Sequence, residues 1–122
     1  MPDDNFEQAL INLGYDNVLD DYVPTSNINT VDYLYIASQG IFDLTGIEDF
    51  TALEDLYCSN NNLTSLSVSS NEQLITLYCN NNQLTSLDVS GATYLLEIEC
   101  HSNLLISLDV SFNIDLYWLQ CG

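Results

Sequence analysis

Four cysteines are the residues best suited to chemistry in this chain. Cys58, Cys79, Cys100 and Cys121 stand 21 positions apart, each from the next. Thiols in such a series could form disulfides, hold a metal or cycle between redox states. The single histidine, His101, follows Glu99 by two, and Ser59 lies in the same repeat phase, so a Ser–His–Glu nucleophilic arrangement can be drawn. Glu97 and Glu99 alternate along the chain and could act as a carboxylate pair on a glycoside. Asp88 and Asp109, one period apart, could share a cation. Which of these chemistries is open depends on the elements that hold the side chains.

Those elements repeat. One row reads Leu53, Leu74, Leu95, Leu116, and the next reads Leu56, Leu77, Ile98, Leu119. Others read Asn61, Asn82, Asn103; Leu63, Leu84, Leu105; Leu66, Leu87, Leu108; and Val68, Val89, Val110. An earlier unit, Val31, Leu34, Ile36, Gln39, Ile41 and Leu44, fits with a step of 22. Such aligned rows mark a solenoid, because one short unit cannot bury its apolar row alone and must stack on its neighbours.

The unit L-x-x-L-x-C-x-x-N-x-L-x-x-L-x-V resembles the leucine-rich repeat consensus. The tail Gly46-Ile47 through Phe50 is similar to the 22-residue repeat of internalin-type bacterial surface proteins. Segments such as Leu63-Thr64-Ser65-Leu66-Ser67-Val68-Ser69 are similar to the 21-residue repeats of secreted bacterial proteins. The resemblance covers residues 31–121. It implies a leucine-rich repeat solenoid of the α/β horseshoe type, mostly β, with an irregular or 3₁₀ convex side. It also implies that Asn61, Asn82 and Asn103 form a buried amide ladder at the corner after each strand.

Stacking decides between the chemistries. In-register parallel strands keep successive Cβ atoms about 4.8 Å apart, whereas a disulfide needs about 3.8 Å. A straight ladder of sulfurs also cannot surround one zinc ion. Cys58, Cys79 and Cys100 are therefore expected to be small buried hydrophobes with a structural role. Cys121, beside the chain end, is the thiol expected to oxidise between molecules. No oxyanion donors or nucleophile turn accompany Ser59 and His101. On a shallow sheet face nothing would desolvate Glu97 or Glu99. No catalytic residue, cofactor or metal site is expected, and the chain is read as not an enzyme.

Composition excludes further classes. The chain carries 18 Asp and Glu and neither Lys nor Arg, for a formal net charge of −18. It cannot neutralise a phosphate backbone, so nucleic acid is excluded as a partner. An anionic membrane surface would repel it. No apolar run reaches a membrane span, and Met1-Pro2-Asp3-Asp4 does not read as an export signal. The expected location is secreted or at the bacterial cell surface, with the export signal absent from this sequence.

Residues 1–30 are expected to form an N-terminal helical cap and loop, and residues 31–122 about five repeat coils. A helix over 3–13 is predicted, capped by Asp3 or Asp4, with Phe6, Leu10 and Leu13 as its apolar stripe and Gly14 ending it. On the strands, Tyr33, Tyr35, Tyr57, Tyr78, Glu97, Glu99, His101 and Trp118 are expected to face outward. Tyr and Trp combine large contact area with a polar tip, so this stripe is the expected partner-binding site. The function read from it is a protein-interaction or ligand-binding module with a protein partner of basic character. The alternative is an engineered or trimmed scaffold with a structural role and no native ligand. Surface binding through Thr64 and Thr85 is a weaker reading, since that row breaks at Ile106. Leu116, Leu119 and Cys121 end the array with no evident cap, and a homodimer through that coil is expected.

Overall fold

The fold is taken from a computed structural model that describes residues 2–121. It begins with helix α1, Asp4–Asn12. Asp3 caps it, its Oδ1 accepting from the peptide N–H of Asn5 (2.8 Å) and of Phe6 (3.1 Å). Asp4 and Glu7 lie in the first turn, where the helix dipole favours negative charge. Gly14 takes a φ of +89°, a left-handed turn that suits a residue without Cβ. Phe6, Ala9 and Leu10 face the core. Leu13, expected in the same stripe, is the C-cap residue and stays 46% exposed, because the chain turns away from the solenoid there.

The strands are three residues each: β1 Tyr33–Tyr35, β2 Asp55–Tyr57, β3 Ser65–Ser67, β4 Thr76–Tyr78, β5 Ser86–Asp88, β6 Glu97–Glu99 and β7 Trp118–Gln120. β1, β2, β4, β6 and β7 form one parallel sheet in that order. Its register links Leu34, Leu56, Leu77, Ile98 and Leu119 in a single row. β3 and β5 pair in parallel on the returning side, with Leu66 opposite Leu87. Short 3₁₀ turns cover Thr25–Asn27 and Ile47–Asp49. The chain is thus a parallel-strand solenoid with one short helix at its start.

The coils of β1, β2, β4 and β6 each turn out of the strand through a left-handed residue: Ser38, Asn60, Asn81 and Ser102 have φ between 57° and 58°. Short polar side chains tolerate that region better than most. One residue later in each of the last three sit the asparagines. Asn61 Oδ1 accepts from the N–H of Gln39 and Ile41, and its Nδ2 donates to the carbonyls of Ile36 and Cys58. Asn82 accepts from Leu63 N–H and donates to the carbonyls of Cys58 and Cys79. Asn103 accepts from Leu84 N–H and donates to those of Cys79 and Cys100. Each amide therefore ties two coils together at a corner where strand hydrogen bonding has ended.

A second asparagine pair does similar work before the strands. Asn71 Nδ2 donates to the carbonyls of Ile47 and Phe50, and Asn113 Nδ2 to those of Val89 and Ala92. Gly91 marks a close approach between coils. A Cβ placed there would lie 1.7 Å from the Ser69 carbonyl oxygen, so a side chain would force the coils apart.

Cys58 and Cys79 are fully buried free thiols. Cys100 and Cys121 correct the expectation of four separate sulfurs, for they are paired as a disulfide within the chain. Their Cα atoms lie 4.5 Å apart, inside the range that a disulfide accepts. Rung spacing alone does not fix the Cβ separation, because the side chains of adjacent rungs can lean together. Pairing within the chain also replaces the expected oxidation of Cys121 between molecules.

Candidate binding face

Alternation along each three-residue strand sends its middle residue into the core and its flanking residues outward. Parallel register then stacks like side chains on adjacent rungs. Tyr57 is the centre of such a stack. Its ring centroid lies 5.4 Å from that of Tyr33, 6.1 Å from Tyr35 and 5.0 Å from Tyr78, the last contact edge to face. Aromatic rings prefer tilted and edge-on contacts at these separations. Tyr33 and Tyr35 are exposed, and Tyr57 and Tyr78 half-buried.

The stack ends on a carboxylate. Tyr78 donates its hydroxyl to Glu97 Oε2 (3.1 Å), and Tyr117 donates to Oε1 (2.8 Å). Burial, and then the hydrogen bond to Glu97, push the Tyr78 phenol up to about 12. Tyr57 is also raised, by burial first and by the charge of Asp55 second. Tyr117 is raised chiefly by its hydrogen bond to Glu97. All three rings are thus neutral at physiological pH, and Tyr78 and Tyr117 donate to Glu97. Tyr117 carries no signal in the sequence, because its row, Glu54, Ile75, Leu96 and Tyr117, is mixed and repeats no residue type. Trp118 lies across from Glu97 on the last strand and is half exposed. Glu99 raises Tyr78 through its charge.

The other candidate chemistries are dispersed. The Ser59 hydroxyl donates to Asn80 Oδ1 at 2.6 Å, and His101 Nδ1 lies 3.3 Å from the Ser102 hydroxyl. Serine and histidine are therefore each engaged with other partners. Asp88 Oδ1 accepts from the hydroxyl and N–H of Ser90, and Asp109 Oδ1 from the N–H of Ser111. Those serine contacts hold both carboxyls below the usual range. Each aspartate serves its own turn.

The acids that converge lie at the cap. Ligand atoms of Asp4, Glu7 and Asp21, and of Glu7, Asp16 and Asp20, fall within 4.8 Å of one another. Glu7 belongs to both groups and is buried, and its two oxygens already accept from the N–H of Asp21 and Tyr22. Among the described residues no helix is long and apolar enough to cross a membrane.

Comparison with known proteins agrees with this architecture. No family model matches the chain. Internalin J of Listeria monocytogenes serotype 4b (strain F2365) is 38% identical over 70 residues, which is 57% of this chain and 8% of that protein. The functional domain of InlJ from Listeria monocytogenes, which includes a cysteine ladder, superposes with a TM-score of 0.89 at 38% identity, over 99% of this chain and 27% of that one. An internalin, InlF, from strain 4b F2365 of the same species superposes with a TM-score of 0.82 at 24% identity, over 100% of this chain and 37% of that one, a likeness of fold. The chain thus spans a minor part of each relative's length. Stacked 21-residue coils, a cysteine row and these relatives agree on one assignment: the chain is an internalin-like leucine-rich repeat protein.

Proposed function

We propose that the chain is a non-enzymatic protein-interaction module of a secreted or cell-surface protein, and that it binds through the strand face. The observation that carries this reading is the stack of Tyr33, Tyr35, Tyr57 and Tyr78 ending on Glu97. Outward aromatic rings give contact area at low entropic cost, and their faces attract cations. The chain supplies 18 carboxylates and no basic side chain, so a partner rich in Lys or Arg meets an attractive field throughout its approach. His101 and Trp118 would flank the contact, with Glu99 beside Tyr78.

The test is calorimetry with an Arg- and Lys-rich peptide at low and moderate salt. Tyr57→Ala with Tyr78→Ala should weaken binding by about tenfold or more, as expected for aromatic anchors. The melting temperature should move far less. Equal binding by the double variant removes the reading.

A further inference from the structure

We infer that a groove beside the strand face receives an extended segment of the partner in which basic and apolar side chains alternate. Lys or Arg stands at the first and fifth positions of that segment, and an apolar residue at the third. The inference rests on the function proposed above and names the kind of sequence that such a partner presents.

The groove follows from the residue that precedes each strand. The N–H of Ile75 donates to the Glu54 carbonyl, that of Leu96 to Ile75 and that of Tyr117 to Leu96, so these residues stand on adjacent rungs just outside the sheet. Two positions earlier in their coils come Gln73, Tyr94 and Asp115. A cavity of about 360 Å³ is lined by Glu54, Gln73, Ile75, Tyr94, Leu96 and Asp115. Those residues come from the successive coils of β2, β4, β6 and β7, so the groove runs along the stack.

Its chemistry changes along that direction. Exposed Glu54 and Asp115 belong to the outer two of these coils, and half-buried Ile75 and Leu96 to the middle two. Tyr94 lines the same stretch and is exposed, and aromatic ring faces attract cations. Among the described residues, neither the Glu54 nor the Asp115 carboxylate accepts a hydrogen bond. The cavity beside Asp43 and Glu48 differs: Asp43 accepts from the N–H of Thr45 and Glu48 from that of Gly46, so those acids serve their own loop. The chain has no Lys or Arg, so a cationic side chain for Glu54 and Asp115 comes from a partner.

Spacing selects the form of that partner. Parallel rungs repeat about every 4.8 Å, so these two carboxylates, three rungs apart, are separated by roughly 14 Å along the stack. An extended peptide rises about 3.3 Å per residue and turns alternate side chains to one side. Its first and fifth residues therefore stand about 13 Å apart, with the third between them over Ile75 and Leu96. A helix places the same two residues only about 6 Å apart along its axis and does not span the groove.

The test is calorimetry with two peptides of one composition, Ser-Lys-Thr-Leu-Thr-Lys-Ser and Ser-Lys-Lys-Thr-Leu-Thr-Ser. The first should bind about tenfold tighter, because only it sets both cations and the leucine in register. Glu54→Gln with Asp115→Asn, both at exposed positions, should abolish the preference, and Ile75→Gln with Leu96→Gln should reduce it. Asp49→Asn with Asp109→Asn makes the same change in net charge away from the groove and should leave the preference intact. Tyr57→Ala with Tyr78→Ala should weaken both peptides and keep their ratio. Equal binding of the two peptides, binding of neither, or a preference untouched by Glu54→Gln with Asp115→Asn overturns the groove and leaves the tyrosine stack to its own test. A preference lost in the tyrosine variant assigns the recognition to the stack and overturns the groove as well.

Discussion

The first and last described coils cover their apolar rows differently. At the start, α1 lies over the first coil, with Phe6 and Leu10 fully buried and the Phe6 ring stacked 6.3 Å from that of Phe50. At the finish, Leu105, Leu108, Val110 and Leu116 are only partly buried, although their rows are buried or nearly so in earlier coils. Burial here belongs to the neighbouring coil and not to the residue type. The start is also held by carboxylates. Asp3 caps the helix with one oxygen and with the other accepts from the N–H of Phe42 (2.8 Å) and Asp43 (2.9 Å). Glu7 ties the helix to Asp21 and Tyr22. A chain without basic side chains neutralises its buried acids with peptide N–H groups.

The largest effect should separate the two ends directly. Leu10→Ala should cost about 2–5 kcal/mol, the range for a buried leucine, whereas Leu119→Ala should cost under about 1 kcal/mol in the monomer. Urea denaturation measures both, and equal losses would break the contrast. Next, Asp3→Ala should cost about 2–4 kcal/mol by leaving four peptide donors without their acceptor, while exposed Asp115→Ala should stay within about 0.5 kcal/mol.

The smallest effect concerns alkaline pH. Burial pushes the Cys79 thiol from 9.0 up to about 12 and raises Cys58 well above its ordinary value. Tyr78 rises from 10.0 to about 12. Unfolded groups lose their protons first, so this stability is fully present below about pH 9 and falls as pH rises toward 12. Cys58→Ala with Cys79→Ala should flatten that fall in a pH series of denaturation curves. Cys100 and Cys121, being paired, contribute nothing to it. An unchanged slope would show that the buried thiols do not govern the alkaline limit.

The step of 21 made the solenoid legible, because a row such as Leu56, Leu77 and Ile98 has no other way to become dry. It also gave the strand phase, and with it the outward side of Tyr57 and Tyr78. What stayed hidden depends on contacts across the fold. Asp3 near a helix start reads as a cap, but its second oxygen meets residues 39 and 40 positions away. Asn71 and Asn113 stand two periods apart with Ala92 between them, so they do not read as a row. Tyr117 occupies a mixed phase with Glu54, Ile75 and Leu96, and only its reach to Glu97 shows its role. The Cys100–Cys121 bond depends on side-chain tilt, which a rung spacing does not contain.

The uniform register has a genetic corollary. Residues 55, 76 and 97 occupy equivalent places on adjacent strands. Excising or duplicating sixty-three nucleotides in phase would therefore join like to like across strands β2, β4 and β6, with the rungs and the corner ties of the Asn61, Asn82 and Asn103 kind re-formed across the seam. A gene built this way offers unequal recombination matching breakpoints, so that reach can vary in steps of one coil while the architecture stays the same.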